Sequence, residues 1–246
     1  NGSNNSAFGV TSMYANTTGA QNTAVGQSSL KANTTGSYNT AVGRTAMFAN
    51  TTASNNTAVG YAALTANTTG ATNTAVGDNA LAKNTTASNN AALGYRALEE
   101  NTTGASNTAF GTEALRENTT ASNNTAVGYS ALFTNTTGDN LTGVGRYALK
   151  DNTTGVNNVA VGGSALEQNT TANNNTAVGY AALTSNTTGT DNVAVGSQAG
   201  DSITTGGQNT CIGREAGEAS NNDENTFIGY RAGNNINATS GGNGLR

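Results

Sequence analysis

The chain has 246 residues, without proline, tryptophan or histidine, and its 10 basic and 14 acidic residues give a net charge of −4. Aromatic residues make up 5% of the sequence, too few for a conventional core of large apolar side chains. The Lys and Arg residues form no cluster, and no apolar stretch is long enough to cross a bilayer, so we expect neither nucleic-acid binding nor membrane insertion.

A 17-residue unit repeats along almost the whole sequence, and residues 56–72, NTAVGYAALTANTTGAT, are a representative copy. We number the residues of each copy from its first Asn as places 1 to 17. Fourteen copies start at Asn5, Asn22, Asn39, Asn56, Asn73, Asn90, Asn107, Asn124, Leu141, Asn158, Asn175, Asn192, Asn209 and Asn225, where Leu141 replaces Asn and the last copy starts one residue early. Such a fixed period predicts one structural coil per copy.

The apolar places of the unit predict which side chains face the interior. Place 4 is apolar in every copy and often β-branched, as in Val59, and place 9 is Leu or Met in the first eleven copies, as in Leu64. We therefore expect both to point inward. Gly60, at the invariant place 5, is expected at a corner, and the segment from Asn67 to Gly70 is expected to turn the chain back.

These features predict an all-β fold, a parallel β-solenoid (β-roll) of fourteen coils with 17 residues per coil. Each coil is expected to hold about two short strands and two corners, and stacking at ~4.8 Å would bury the apolar columns. Helical repeats need about 33 residues or more, which excludes a helical solenoid.

The repeat changes character at Asn192, which predicts regular repeats over residues 1–191 and variant coils with a tail over residues 192–246. In the second segment Gly replaces Leu at place 9, and Ile203 and Ile236 appear at place 12. We expect the core there to be filled from a different point of the coil. Neither end carries an evident cap, which predicts end-to-end stacking through open strand edges.

Two stretches carry a family resemblance: residues 56–70, NTAVGYAALTANTTG, and residues 225–233, NTFIGYRAG. They resemble repeats of bacterial and phage tail-fibre-like proteins, and the Asn-Thr-Ala-Val-Gly step is more distantly similar to head repeats of trimeric autotransporter adhesins. The resemblance spans residues 5 to about 233. It implies an extracellular location, on a cell surface or virion, and a homotrimer of β-rolls acting as an adhesin head, tail-fibre shaft or self-assembling filament.

Two other binding functions stay open. Paired Thr columns, such as Thr34 with Thr35, suggest ice binding, but neighbouring side chains point to opposite faces and do not form a double rank. The place-2 column, exemplified by Thr23, keeps this alternative open. For carbohydrate binding, including cell-surface glycans, the candidate contacts are Tyr61, Tyr95, Tyr129 and Tyr180.

Eleven copies contain an Asn-Thr-Thr sequence that fits the N-glycosylation pattern. The candidate acceptors are Asn16, Asn33, Asn50, Asn67, Asn84, Asn101, Asn118, Asn135, Asn152, Asn169 and Asn186. Glycans every ~4.8 Å would crowd one another, so a stacked Asn ladder is the preferred interpretation.

The sequence offers little for catalysis, and we expect neither an enzyme nor a cofactor or metal site. Cys211 is the lone cysteine, occupies a place that is Ala in most copies, and is expected to serve as a small packing residue. Acidic pairs fall at variable places and are expected on a solvated outer face. They are Glu99 with Glu100, Glu113 with Glu117, and Asp223 with Glu224.

Overall fold

A computed structural model describes residues 2–218 and 221–234, and it confirms the parallel β-solenoid. This part of the chain contains fourteen three-residue strands, one per coil, at places 2 to 4. It contains no helix long and apolar enough to cross a membrane. The chain divides into two compact units, residues 1–123 and 124–246.

The first unit contains seven strands that pair in sequence order, all parallel. They are β1 Ser6–Phe8, β2 Thr23–Val25, β3 Thr40–Val42, β4 Thr57–Val59, β5 Thr74–Val76, β6 Ala91–Leu93 and β7 Thr108–Phe110. The register is that of the repeat, because each residue pairs with the one at the same place in the next coil, as Ala58 does with Ala75.

The second unit has the same arrangement. Its strands are β8 Thr125–Val127, β9 Thr142–Val144, β10 Val159–Val161, β11 Thr176–Val178, β12 Val193–Val195, β13 Thr210–Ile212 and β14 Thr226–Ile228. The β13–β14 pair spans 16 residues rather than 17, since Cys211 pairs with Phe227.

The expectation of two strands per coil is wrong. Places 7 and 9 adopt left-handed backbone conformations in coil after coil, as in Ala62 (φ 52°) and Leu64 (φ 53°). This alternation prevents an extended second strand, because a strand needs consecutive residues in the β region. Bonds between coils persist nevertheless: the Leu64 N–H donates to the Ala80 carbonyl at 2.9 Å.

The predicted orientation of the strands is also wrong, although Leu64 does lie inside. Ala58, at place 3, is fully buried, whereas Val59 points outward and is 36% exposed. In a regular coil, the interior is too narrow for a side chain larger than Ala on the inner side of the strand. At Gly143, which replaces Ala at place 3, an added Cβ would lie 3.2 Å from Leu132 Cγ, so beside a place-9 Leu there is room for a methyl group and little more.

The turn from Asn67 to Gly70 is confirmed, and a ladder of buried asparagines forms its inner side. Asn67 Nδ2 donates to Asn50 Oδ1 at 3.0 Å and to the Gly70 carbonyl at 2.9 Å, while Asn67 Oδ1 accepts from Asn84 Nδ2 at 2.9 Å. The side chain is fully buried. Asn67 thus binds its own turn and both neighbouring coils.

A second ladder runs through the place-1 asparagines. Asn56 Oδ1 accepts the Asn73 backbone N–H at 2.8 Å, and Asn56 Nδ2 donates to the Gly70 carbonyl at 2.9 Å. The Gly70 oxygen therefore accepts from both Asn56 and Asn67. One carbonyl per regular coil ties the two ladders together and has both of its lone pairs used.

Gly60 lies at a corner, as expected, with φ at +137°. An added Cβ would lie 2.4 Å from the Gly77 carbonyl oxygen of the next coil. Both the conformation and the close stacking of backbones therefore require glycine at place 5.

The core of the variant coils is filled from other places, as predicted. Ile203 is fully buried, and a Cβ added to Gly200 would lie 3.1 Å from both Ile203 Cδ1 and Leu183 Cδ2. Ile203 ends the inner Asn ladder, so Asn186 Oδ1 is buried without a hydrogen-bond partner. The equivalent expectation for Ile236 lies outside the described residues.

Place 3 contributes to the refilling in the last two coils. Cys211 and Phe227 are buried there, at a place that is Ala in most regular coils. A Cβ added to Gly217 would lie 2.4 Å from Cys211 Sγ, and one added to Gly233 would lie 2.4 Å from Phe227 Cδ1. A larger residue at place 3 thus occurs together with glycine at place 9.

In the 16-residue coil, a side-chain oxygen replaces a backbone carbonyl as the hydrogen-bond acceptor. In a regular coil the place-13 carbonyl, such as that of Thr34, accepts backbone N–H groups from the preceding turn. In the short coil Asn221 Oδ1 accepts instead, from the N–H groups of Thr204, Thr205 and Gly206 at 2.8, 3.0 and 3.2 Å. The amide oxygen compensates for the missing residue.

Replacing Asn67 by Ala is expected to destabilise the fold by about 3 kcal/mol, because it removes three buried hydrogen bonds and leaves Asn50 Oδ1 without a donor. Asn186→Ala is the matched control and is expected to cost about 1 kcal/mol less, since Asn186 Oδ1 accepts no bond. Chemical denaturation measures both. Equal losses would contradict the ladder as a source of stability.

In the coil that starts at Asn192, Gly200 stands at the place of the usual Leu and Ile203 at the place of the usual Asn. We expect the effects of these two exchanges on stability to be coupled. Gly200→Leu alone overpacks the interior, and Ile203→Asn alone leaves a cavity. Together they restore the regular places 9 and 12 and give Asn186 Oδ1 a donor. A double-mutant cycle should show a favourable coupling of about 1 kcal/mol or more, whereas additive losses would contradict the exchange.

Candidate functional surfaces

The outer side of the strands is an uncharged face made of places 2 and 4, which we term the strand face. Its place-2 residues are Thr in most coils, with Ser, Ala or Val in the others, and its place-4 residues are apolar throughout. Val59 is 36% exposed and Leu93 is 42% exposed. In each unit seven apolar side chains follow one another along this face, at the strand spacing of about 4.8 Å.

The Thr residues of the turns are used differently. Thr68 Oγ1 donates to the Thr85 carbonyl at 3.0 Å, and the same bond recurs between Thr34 and Thr51. These hydroxyl groups therefore help to hold neighbouring coils together. Exposed Thr69 follows on the other side of the chain, as expected for adjacent residues.

The four tyrosines predicted as sugar contacts lie on the surface, from 44% to 64% exposed, and do not form one cluster. Arg44 stacks over the Tyr61 ring at 5.6 Å and Arg96 over the Tyr95 ring at 5.0 Å. Tyr180 lies over Gly163 of the preceding coil, where an added Cβ would be 3.6 Å from the ring.

Tyr129 belongs to a larger cluster that the sequence did not reveal. Its ring contacts that of Tyr147 edge-on, with centroids 5.5 Å apart, and Arg146 and Lys150 lie 4.4 and 5.7 Å from the Tyr147 centroid. The pKa of Lys150 is raised, first by its hydrogen bond to Asp151. The sequence does indicate that this coil is unusual, because Leu141 stands in place of the usual Asn.

The candidate glycosylation acceptors form the inner Asn ladder, in line with the preferred interpretation. From Asn33 to Asn186 they are fully buried, and Asn16 is partly buried. The Nδ2 group that a glycan would modify donates to carbonyl oxygens, as Asn16 does to Gly19 at 2.9 Å. Glycosylation of these residues is therefore incompatible with the folded coil.

Several acidic side chains pair with basic side chains of the same coil or of a neighbouring coil. Glu99 lies 3.2 Å from Arg116 and 3.7 Å from Arg96, and Lys83 lies 2.5 Å from Glu100. Asp223 and Glu224 belong to the short coil, where Asp223 Oδ1 accepts the Gly207 N–H at 2.7 Å. Among the described residues, no group of three acidic or Cys side chains is placed to hold a metal ion.

Near the end of the described chain, Glu215 is almost fully buried between two arginines. Arg214 Nη2 lies 2.6 Å from Glu215 Oε1, and Arg231 Nε donates to Glu215 Oε2. The hydrogen bond from Arg231 lowers the pKa of Glu215. Both guanidinium groups also lie over the Tyr230 ring, so this cluster holds neighbouring coils together.

Fold and surfaces together define a tandem-repeat parallel β-solenoid with an uncharged strand face and several separate contacts between aromatic and basic side chains. No family model, no curated protein and no solved structure matches the chain.

The Cys211 thiol is expected to be unreactive in the folded chain, because burial raises its pKa to about 12. At pH 8 alkylation by iodoacetamide should be about a thousandfold slower than in denaturant, where the pKa is near 9. Because the folded pKa lies above the unfolded one, stability should fall as pH rises from 9 towards 12. Cys211→Ala should lose less stability over that range, and rapid labelling of the native protein would contradict the burial.

Proposed function

We propose that this chain is a structural element of an extracellular fibre, an adhesin head, tail-fibre shaft or surface filament, that assembles as a homotrimer through its strand face. The observation that carries this proposal is the exposed apolar column at place 4, represented by Val25, Val59 and Leu93. Continuous apolar surface of this kind is typical of interaction sites. The resemblance to tail-fibre and adhesin repeats supports the same role.

The period of the column favours a second copy of the same chain as the partner. One apolar side chain recurs with every coil, at about 4.8 Å, and a surface with the same spacing packs against it in register. Another copy of this chain has that spacing by construction. The strand face also lacks charged side chains, so bringing copies together buries no unpaired charge.

The interior supports a mechanical role. The two Asn ladders join successive coils by side-chain hydrogen bonds in addition to the backbone ladder. Load along the stack is shared by several bonds per coil, and the buried amides are protected from water. Resistance to proteases and to stretching is expected from an interior in which the coils are joined in this way.

The self-association is tested by Val59→Lys with Val76→Lys, which place two charges on the strand face. Sedimentation equilibrium is expected to give three chains per particle for the natural sequence and one for the variant, because burying unpaired charges at an interface is strongly unfavourable. The matched control is Thr69→Lys with Thr86→Lys, in the same two coils but at exposed turn residues.

The control variant should remain trimeric, and circular dichroism should show the same fold in all three proteins. A natural chain that stays monomeric at high concentration would contradict the proposal. So would a strand-face variant that associates as strongly as the control.

Ice binding is a second candidate that one observation favours. Thr57 and Val59 both belong to the uncharged strand face, and residues of these types recur along it at the period of the coil. This function requires the face to be open to water, whereas trimerisation covers it. A monomer that produces thermal hysteresis would favour ice binding, and a lack of ice-growth arrest at high protein concentration would exclude it.

A further inference from the structure

The coil that starts at Leu141 departs from the repeat at several places. Leu141 replaces the place-1 Asn, Gly143 replaces the usual Ala of place 3, and Tyr147 occupies place 7. No other coil in residues 2–218 and 221–234 has an aromatic residue at place 7. This coil therefore combines interior changes with an additional ring on the surface.

Tyr147 occupies a backbone conformation that does not suit it. Its φ is +62°, in the left-handed region, where residues other than glycine lose about 1–2 kcal/mol. Nearby coils have small residues at the same place, Ser130 and Ser164. The Tyr147 side chain is partly buried, and its ring contacts Tyr129, Arg146 and Lys150.

Arg146 differs in its ion pairing from three other arginines that lie over tyrosine rings, Arg96, Arg214 and Arg231. Arg96 is close to Glu99, and Arg214 and Arg231 share Glu215. Arg146 is exposed, and the described residues contain no carboxylate in ion-pair distance of it.

Two acidic groups moderate the charge of the cluster without occupying the guanidinium. Asp151 accepts a hydrogen bond from Lys150 at 3.1 Å, and Glu167 acts on Arg146 and Lys150 through space. The pKa of Arg146 is raised first by a side-chain hydrogen bond to Tyr147, and the remaining guanidinium donors of this exposed arginine have no carboxylate partner among the described residues.

We propose that Tyr129, Tyr147, Arg146 and Lys150 form a binding surface for a carboxylated sugar chain. The face of a tyrosine ring carries partial negative charge and attracts the C–H groups of a sugar ring. A free guanidinium binds a carboxylate through paired hydrogen bonds. A uronic-acid polymer offers both groups in each unit, and it matches a surface that combines rings with an arginine that has no carboxylate partner in the described part of the chain.

Binding of a uronic-acid polymer rests on the proposed extracellular role, because the chain must have access to such polymers. Its test does not depend on assembly. The net charge of −4 opposes general attraction of a polyanion, so binding must come from a local site.

Isothermal titration with oligogalacturonate is the direct measurement, with the methyl-esterified oligomer as the matched ligand without charge. We expect the acid form to bind at least about tenfold more tightly than the ester, because the ester cannot pair with Arg146. Affinity should fall as salt is raised, since the site is exposed. Equal affinity for the two ligands, or no binding at millimolar concentration, would overturn the proposal.

Two variants locate the site, and each introduces a residue that other coils carry at the same place. Tyr147→Ser follows Ser130, and Arg146→Ser follows Ser197. Each should weaken oligogalacturonate binding about tenfold or more, in keeping with loss of a stacking or charge-assisted contact.

The control variant is Tyr95→Thr, which follows Thr112 at the same place. Tyr95 also stacks with an arginine, but that arginine lies near Glu99. The control should bind as the natural chain does, and equal weakening in all three variants would overturn the assignment. Sedimentation of the same samples separates loss of this site from failure of the trimer proposal.

Discussion

A single carbonyl oxygen in each regular coil organises the rest of the structure. The Gly70 oxygen accepts from Asn56 and Asn67, and these two amides in turn bind neighbouring coils through their own oxygens. Buried amides are costly unless all of their donors and acceptors are paired. The ladders satisfy this condition because each regular coil supplies hydrogen-bond donors or acceptors to the amides of its neighbours.

The width of the interior follows from the same arrangement. With asparagines filling part of each coil, one Leu and two Ala side chains complete it, and larger strand residues must point outward. Where Leu is missing, as at Gly217 and Gly233, Cys211 and Phe227 occupy the space. The exposed apolar column on the strands is therefore a consequence of interior packing, and it is also the surface through which we propose that the chain assembles.

The sequence predicts the coil and its turns well because these depend on local chemistry. Gly60 at a corner, Leu64 inside and the turn from Asn67 all follow from the residue types and the period. The direction of Val59 could not be predicted, since Ala58 is also apolar and the choice depends on a Leu of another coil. Tyr147 was missed because its contact with Tyr129 depends on a left-handed residue that the sequence pattern does not indicate.

Each strand residue pairs with the residue at the same place in the next coil, and this register limits which insertions and deletions the gene can accept. A whole regular repeat can be gained or lost without altering the backbone and Asn ladders, so unequal recombination between copies changes the number of coils at little cost to folding. A shift of a single residue would displace both ladders. The chain has one such shift, between Asn209 and Asn225, where Asn221 supplies a side-chain oxygen in place of a backbone carbonyl. Deletions within a repeat are thus tolerated where a neighbouring side chain can replace the lost acceptor.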